Sequence, residues 1–266
     1  MNLKELMRKE LSKEELKLLK RSFDIIGSIA QIEIPIELEN KEKLIAKKLL
    51  EHYKNILTVV KKTDITSGEY RIRPVKILAG EKTAQTIHKE NGIFLKLDLN
   101  KVFFTPRLSG ERLRILSLIQ KNDFVADLFC GVGPYAILIA KFSGAKKVLA
   151  NDLNTDAYNY LLENAKKNKV ENILECSNKD ARDFHGLNAD KLIMNIPKFS
   201  ESFLKCAFEN CKIGGIIFYY CFAKEDELKE RIKEIKQAGK CRILKKIKCG
   251  DIGPGTYRWC IDFKKL

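Results

Sequence analysis

The chain has 266 residues, with 50 Lys and Arg against 35 Asp and Glu, so its formal charge at pH 7 is +15. Hydrophobic residues make up 45% of the chain, and it contains only 15 Gly and 6 Pro, which excludes a disordered or fibrous protein. The longest unbroken apolar run, residues 216–223, is too short to span a bilayer, and the charged N-terminal segment does not resemble a signal peptide. We therefore expect a globular, cytoplasmic protein that does not contact a membrane.

The cysteines, histidines and charges narrow the class of protein further. Eight Cys and three His are scattered without the spacing of a disulfide frame or a zinc site, so we predict reduced thiols and no metal. The excess of positive charge favours a polyanionic partner such as nucleic acid. The charged surface of a heat-adapted protein would give the same composition, so charge alone leaves both interpretations open.

The first hundred residues predict a small α+β domain, residues 1–100. Residues 1–22 have Leu at helical spacing, and Ser12 followed by Glu15 is a capping-box pattern, which predicts one or two short helices. The rest combines one charged helical stretch with several β-branched segments. The helical stretch is 41–53, and the apolar segments are 22–35, 56–62, 69–78 and 93–99.

From residue 101 the pattern changes to strands that alternate with helices, which predicts a mostly parallel sheet with helices on both faces. Two final segments separated by a Gly/Pro turn predict an antiparallel hairpin at the sheet edge. This α/β, Rossmann-like layout over residues 101–266 is typical of a class I methyltransferase more than of a dehydrogenase. Helices are expected at 109–120, 134–142, 154–168, 200–211 and 224–238, and strands at 124–129, 147–152, 172–177, 191–195, 215–221, 242–249 and 257–263.

The first strand of this domain leads into a tight glycine turn, which points to a cofactor site. Gly131 and Gly133 let the backbone approach a ligand closely, and Asp152, after the second strand, suits ribose hydroxyls. The third glycine of a dinucleotide site is missing, and Asp127 is placed to face the ammonium of an amino-acid moiety. These features favour S-adenosylmethionine over NAD. The alternative is that Asp127 only ends a strand and Asp152 faces water.

Two later segments carry further candidates. Asp180 is a candidate for the adenine amino group, and it is equally suited to be a helix N-cap. Asn195 and Pro197, after the fourth strand, can aim amide and carbonyl groups at a planar nitrogenous base. Lys198 stands where amino-methylating enzymes carry an aromatic residue, which disfavours an exocyclic amine as acceptor. An ordinary strand-exit turn is the alternative.

Several blocks together resemble the archaeal and eukaryotic tRNA guanine-37 N1-methyltransferases, the Trm5-type family. The blocks are FFTPRLSGERLRIL, DLFCGVGPYAI, NDLNTDAYNYLLENAKKN, DARDF and MNIPKFSESFL, preceded by a similar segment at 68–92. They occur in the family's order and at fitting spacing, and the resemblance covers nearly the whole chain. Ile196 replaces the usual Leu of the Asn-Leu-Pro loop, a swap that conserves volume.

The resemblance implies a role for each matched position. Glu111 would be the base that takes the N1 proton of guanine, Arg71 would stabilise charge at guanine O6, and Asn195 would position the base. Phe103 and Arg107 would line the cofactor and the guanosine. Asp152 and Asp180 would contact the ribose and the adenine.

Each catalytic assignment has an alternative. Glu111 could be a first-turn acid of a helix capped by Ser109. Arg71 or Arg73 could belong to a solvated or phosphate-contacting face. We expect Arg112 and Arg114 to lie at the surface or on the tRNA backbone.

The reaction that the resemblance implies is methyl transfer from S-adenosylmethionine to N1 of guanosine 37 in tRNA. The alternative is C7-methylation of the tricyclic wyosine precursor 4-demethylwyosine at position 37, alone or in addition, which would place the enzyme in wyosine biosynthesis. The sister aminocarboxypropyl transferases share the cofactor but resemble this chain less, because they lack the Asn-x-Pro loop and the Pro-Arg-Leu block. A dehydrogenase or a non-catalytic RNA-binding module is a more distant possibility. We expect a monomer without the extra N-terminal domain common in the family, acting on the anticodon stem-loop.

Overall fold

The computed structural model describes residues 2–63 and 74–266. The chain divides into two compact units. The first is Met1–Glu90 with Phe94–Pro106, and the second is Asn91–Ile93 with Arg107–Leu266. Within the described ranges, no helix combines the length and the apolar character needed to cross a membrane.

The first unit packs short helices against a four-stranded sheet. Helices α1 (Leu3–Leu6) and α2 (Lys13–Leu18) each begin with a capping box, and the box of α2 is the predicted pair Ser12 and Glu15. Helix α3 (Glu42–His52) buries Ile45, Ala46 and Leu49 in the core of this unit. The strands are β1 (Asp24–Ile26), β2 (Ile29–Ile32), β3 (Thr58–Lys62) and β4 (Val75–Gly80), in that spatial order, followed by a separate hairpin of β5 (Gln85–Glu90) and β6 (Ile93–Asp98).

The second unit is a seven-stranded α/β sheet, as predicted. Strands β7 to β11 run parallel, and β13 pairs antiparallel with β11 and with the edge strand β12, so the predicted C-terminal hairpin is confirmed. The spatial order is β12-β13-β11-β10-β7-β8-β9. The strands are β7 (Phe124–Asp127), β8 (Lys147–Asn151), β9 (Leu174–Ser177), β10 (Ala189–Met194), β11 (Cys211–Ala223), β12 (Cys241–Gly253) and β13 (Thr256–Lys265). The helices are α4 (Ser109–Ser117), α5 (Pro134–Phe142), α6 (Thr155–Asn168), α7 (Leu204–Asn210) and α8 (Leu228–Ala238).

The strand register determines which side chains of this sheet share a face. Asp127 pairs with Ile193, Ile193 with Phe218, and Phe218 with Asp262, so these four residues form one row across the sheet. Directly opposed residues share a face, and so do residues two apart along a strand. The other face carries Met194, Tyr219, Ile261 and their neighbours, which form an apolar core with α7 and α8.

All eight cysteines are free thiols, five of them buried. This agrees with the expectation of reduced thiols in the apolar segments of the chain.

Candidate active site

The turn between β7 and α5 requires glycine. Gly131 (φ 56°) and Gly133 (φ 89°) are both left-handed, and Pro134 occupies the first position of α5. A Cβ on Gly133 would lie 2.5 Å from Cδ1 of Leu161 and 2.9 Å from Cδ1 of Ile137. The turn at the carboxyl end of β7 therefore requires glycine at position 133, because a larger residue would clash with Leu161 and Ile137.

Asp127 ends β7 and is completely buried (0% exposed). Neither of its carboxylate oxygens has a hydrogen-bond partner within the described part of the chain. Burial raises the pKa of Asp127 to about 8, and the charge of Asp152 adds to that, while the nearby amide of Phe129 lowers the pKa in part. A buried carboxyl without a partner is costly, so this group is suited to a cationic ligand.

Asp152 directly follows β8 and ties the end of that strand to the glycine turn. Its Oδ2 accepts a hydrogen bond from the Gly131 amide at 2.7 Å, and its Oδ1 accepts one from the Asn154 amide at 3.0 Å. Burial raises the pKa of Asp152, and the two amides oppose that rise. Each oxygen keeps a further lone pair, so the side chain can still accept hydrogen bonds from a diol.

Asp180 is the N-cap of a short 3-10 helix, Ala181–Asp183, and accepts from the Arg182 amide at 2.9 Å. Its carboxylate also pairs with the Arg182 guanidinium, which lowers the pKa of Asp180. The capping role is therefore present in the structure. The adenine contact remains a prediction.

Asn195 directly follows β10 and is half-buried, and its Oδ1 is a buried acceptor without a partner among the described residues. The preceding Met194 pairs with Tyr219 of β11, so Asn195 and Tyr220 are the next residues on two adjacent parallel strands. Pro197 is half-buried. The amide of Asn195 therefore lies near the carboxyl ends of the strands, as Asp127 does.

The loop after β10 contains an aromatic residue one position later than amino-methylating enzymes carry it. Lys198 is exposed, whereas Phe199 has a left-handed backbone (φ 64°) and is 50% exposed. A bulky residue in this conformation is uncommon and strained. The sequence shows that residue 199 is a phenylalanine, but it does not reveal the left-handed backbone of this residue.

Glu111 lies in the first turn of α4, 9% exposed, and accepts three hydrogen bonds. Arg114 donates from Nε to Oε2 and from Nη2 to Oε1, both at 2.7 Å, and the Tyr220 hydroxyl donates to Oε1 at 2.7 Å. Tyr135 donates to Tyr220 at 3.1 Å, and Asp262 accepts from Arg114 Nη1 at 2.7 Å. Sequence reasoning missed Tyr220, Tyr135 and Asp262 as members of this network.

The prediction that Arg112 and Arg114 lie at the surface or on the tRNA backbone is wrong. Arg112 is 2% exposed and its guanidinium lies 5.7 Å from the centre of the Tyr135 ring, and Arg114 pairs with two carboxylates. Both arginines lie on the side of α4 that faces the sheet, because their partners there are an aromatic ring and two carboxylates. Ser109 is also not the N-cap: Leu108 takes that position, and the Ser109 hydroxyl bonds to the Asn91 side chain at 3.3 Å.

The remaining predicted residues are placed differently. Arg71 lies outside the described residues. Phe103 belongs to the first unit and is 62% exposed, and Arg107 is an exposed residue at the start of the second unit. Asp127, the glycine turn and Asp152 all belong to the second unit, so these predicted cofactor residues do not depend on the first unit.

A mostly parallel sheet with a reversed hairpin, and a glycine turn flanked by acidic strand ends, define a class I methyltransferase fold. The TRM5/TYW2 methyltransferase domain matches residues 86–245, and the TYW2 N-terminal domain matches residues 3–83. The chain belongs to the TRM5/TYW2 methyltransferase family.

Similar proteins come from two branches of this family. The tRNA (guanine(37)-N(1))-methyltransferase Trm5b of Pyrococcus abyssi is 43% identical over 252 residues, which covers 92% of this chain and 75% of that protein. The tRNA(Phe) (4-demethylwyosine(37)-C(7)) aminocarboxypropyltransferase of Pyrococcus horikoshii is 32% identical, which covers 98% of this chain and 95% of that protein. The solved complex of aTrm5 with tRNALeu superposes with a TM-score of 0.92 at 34% identity and covers 100% of this chain and 78% of that one.

Proposed function

We propose that the protein is an S-adenosylmethionine-dependent tRNA methyltransferase that methylates N1 of guanosine 37. The observation that carries the proposal is the placement of two groups on adjacent strands. Asn195, with an unpartnered Oδ1, and Tyr220, which donates to Glu111, are the next residues after the paired Met194 and Tyr219. An amide acceptor at the end of β10 and the tyrosine that holds the α4 carboxylate are therefore neighbours on the sheet, in the same unit as Asp127.

The residues at the ends of β7 and β8 fit S-adenosylmethionine. The partnerless carboxyl of Asp127 suits the ammonium of its amino-acid part, and Asp152 has lone pairs left for ribose hydroxyls. Gly131 and Gly133 are both left-handed, and a Cβ on Gly133 would clash with Leu161 and Ile137, so the turn needs glycine there. When bound, this cofactor supplies an electrophilic methyl group on a sulfonium.

The protein's own residues then act on the base. Guanine N1 is a poor nucleophile until its proton leaves, so a positioned carboxylate is needed, and Glu111 is the candidate. The Oδ1 of Asn195 can accept from the guanine amino group and hold the ring in place. Arg71, assigned by resemblance, would stabilise the negative charge that develops at O6.

In this reaction Glu111 would take the N1 proton, N1 would bond to the methyl carbon, and the bond from that carbon to sulfur would break. The by-product is S-adenosylhomocysteine. The positive formal charge of the chain, +15, suits the polyanionic RNA substrate.

A second reaction has specific support from the comparisons. The TYW2 N-terminal domain matches residues 3–83, and the Pyrococcus horikoshii aminocarboxypropyltransferase matches along nearly its whole length. Transfer of the aminocarboxypropyl group would leave methylthioadenosine instead of S-adenosylhomocysteine. C7-methylation of 4-demethylwyosine is the third possibility, and it would leave S-adenosylhomocysteine.

The test uses the purified protein, S-adenosylmethionine and three RNAs: a tRNA transcript with G37, the same transcript with A37, and a tRNA carrying 4-demethylwyosine. Nucleosides are analysed by mass spectrometry. The by-product of the cofactor, either S-adenosylhomocysteine or methylthioadenosine, is identified in parallel. We expect N1-methylguanosine only with the G37 transcript, together with S-adenosylhomocysteine.

Two results would contradict the proposal. Methylthioadenosine released with the 4-demethylwyosine tRNA, and no methylguanosine with G37, would assign the protein to aminocarboxypropyl transfer. A methylated tricyclic base without methylguanosine would assign it to C7-methylation.

A further inference from the structure

Arg114 links the first helix of the second unit to its last strand. Its guanidinium donates to both oxygens of Glu111, on its own helix α4, and to both oxygens of Asp262, on β13. The two bonds to Asp262 measure 2.7 and 3.1 Å, and Nη2 also lies 3.3 Å from the Cys260 thiol. One cation is thus shared between two buried carboxylates that are 151 positions apart in the sequence, at 111 and 262.

We propose that Arg114, anchored by Asp262, is a positioning residue that fixes the direction of the Glu111 carboxylate for proton abstraction. This inference rests on the proposed role of Glu111 as the base. It makes the C-terminal hairpin, through Asp262, a functional part of the site.

The pairing geometry is of the kind that orients a carboxylate. Two parallel N–H···O bonds from one planar guanidinium hold the carboxylate in the plane of the fork, which a single bond or a point charge does not do. A carboxylate has about four lone-pair sites. Arg114 and Tyr220 use two on Oε1, and Arg114 uses one on Oε2. The Cys249 thiol also lies beside Glu111. Oε2 accepts only one of the three bonds, so it is the oxygen on which we place the incoming proton.

Tyr220 supplies the second anchor of the carboxylate. Burial raises the pKa of Tyr220 well above its ordinary value, so its hydroxyl stays protonated and donates to Glu111. Tyr220 pairs with Cys260 across β11 and β13, and Phe218 pairs with Asp262. Tyr220 and Asp262 therefore project from the same face of the sheet toward α4.

Stability alone does not explain this arrangement. A buried ion pair adds little stability over well-packed apolar residues of the same volume, because removing the charges from water is costly. The ion pairs of Arg114 instead fix the direction of the Glu111 carboxylate, because Asp262 on β13 holds the guanidinium in place.

The test is a double-mutant cycle between Glu111→Gln and Asp262→Asn. The rate of group transfer is measured in single turnover with saturating tRNA and cofactor, together with cofactor affinity and the thermal midpoint. We expect Asp262→Asn to slow transfer about tenfold with cofactor affinity unchanged, as for the loss of an orienting contact. The double variant should be no slower than Glu111→Gln alone, because coupled residues are not additive.

A conservative variant separates geometry from charge. Arg114→Lys keeps the positive charge but cannot make two parallel bonds, so we expect it to be slow as well. Tyr220→Phe removes one bond to Oε1 with little change in volume and serves as the second variant if Asp262→Asn does not fold. Asp251→Asn, at an exposed position of the same hairpin, is the matched control and should have the wild-type rate.

The outcomes separate this inference from the proposed function. A double variant slowed by the product of the two single effects, a wild-type rate for Asp262→Asn and Tyr220→Phe, or a wild-type rate for Glu111→Gln would overturn the positioning role, even if methylguanosine forms. If another group is transferred but the cycle is still non-additive, the positioning role stands and the proposed reaction fails. No transfer to any of the three RNAs would overturn both.

Discussion

Asp127 and Glu111 are both buried carboxylates of the second unit, but their surroundings differ. Asp127 has no hydrogen-bond partner among the described residues, whereas Glu111 accepts three hydrogen bonds within the protein. A buried polar group without a partner costs free energy, and a ligand that supplies the partner recovers it. The comparison indicates that the β7 end is built to be completed by a ligand, while Glu111 already has protein partners before any ligand binds.

The largest effect is expected for Glu111→Gln, which removes the proposed base. Transfer to tRNA should fall about 10²- to 10⁴-fold, the usual contribution of a general base. Cofactor affinity should stay unchanged, as the site for the ammonium is elsewhere in the sheet. Single-turnover kinetics and calorimetric titration with cofactor measure the two effects.

The control for Glu111→Gln is Glu171→Gln, an exposed position, which should behave as the wild type. Loss of cofactor binding in Glu111→Gln would show that the two regions are not independent.

Asp127→Asn tests the other half of the comparison. Removing the charge should weaken cofactor affinity about 100-fold, as for the loss of a charge-assisted contact, while the rate at saturating cofactor falls less. Calorimetry gives the affinity, and Asp251→Asn is again the matched control. An unchanged affinity would refute the ammonium contact.

Asn195→Ala should have a smaller effect, because a neutral amide is lost. We expect transfer to slow about tenfold, in proportion to one hydrogen bond, with no loss of stability of the free protein, since Oδ1 has no partner among the described residues to lose. Single-turnover rates and thermal midpoints test this. A lowered thermal midpoint would indicate that Asn195 is an ordinary strand-exit residue.

The last prediction concerns the pH dependence of stability, where no effect on turnover is expected. The ordinary pKa of an Asp carboxyl is 3.8 and that of folded Asp127 is about 8, so between these values the folded state holds a proton that the unfolded state has released. The contribution of Asp127 to stability therefore decreases as pH rises from about 4 to about 8, and then levels off.

Urea unfolding of the cofactor-free wild type and of Asp127→Asn from pH 5 to pH 9 checks the sign of this dependence. We expect the variant to become relatively more stable as the pH increases. A difference between the two that does not vary with pH would mean that the carboxyl is already ionised at pH 5.

Local patterns predicted the parts of the site that are close in sequence. The glycine turn, Asp127 and Asp152 follow from strand ends and left-handed glycines, and the capping box at Ser12 follows from a four-residue pattern. The predicted strand 124–129 ends at Asp127, because the residues after it already form the turn.

The network around Glu111 could not be predicted in the same way. Arg114 and Asp262 are 148 positions apart, and nothing local distinguishes Arg114 from a solvated helix residue. Its burial depends on the register that places Asp262 opposite Phe218, and that register is set by the pairing of whole strands. The role of Asp180 could not be predicted for a different reason. A helix N-cap and a contact to a ligand both call for an aspartate at this position, so the sequence pattern is the same for the two roles.

The long sequence span of this network has a consequence for folding. Contacts between distant segments form late, since the closure of a long loop must precede them. A molecule in which β7 and β8 have joined, but β13 has not docked on β11, would have the carboxylates for a cofactor and an unfixed Glu111. Ligand binding would then report the assembly of one half of the sheet, and turnover would report that the whole sheet is assembled.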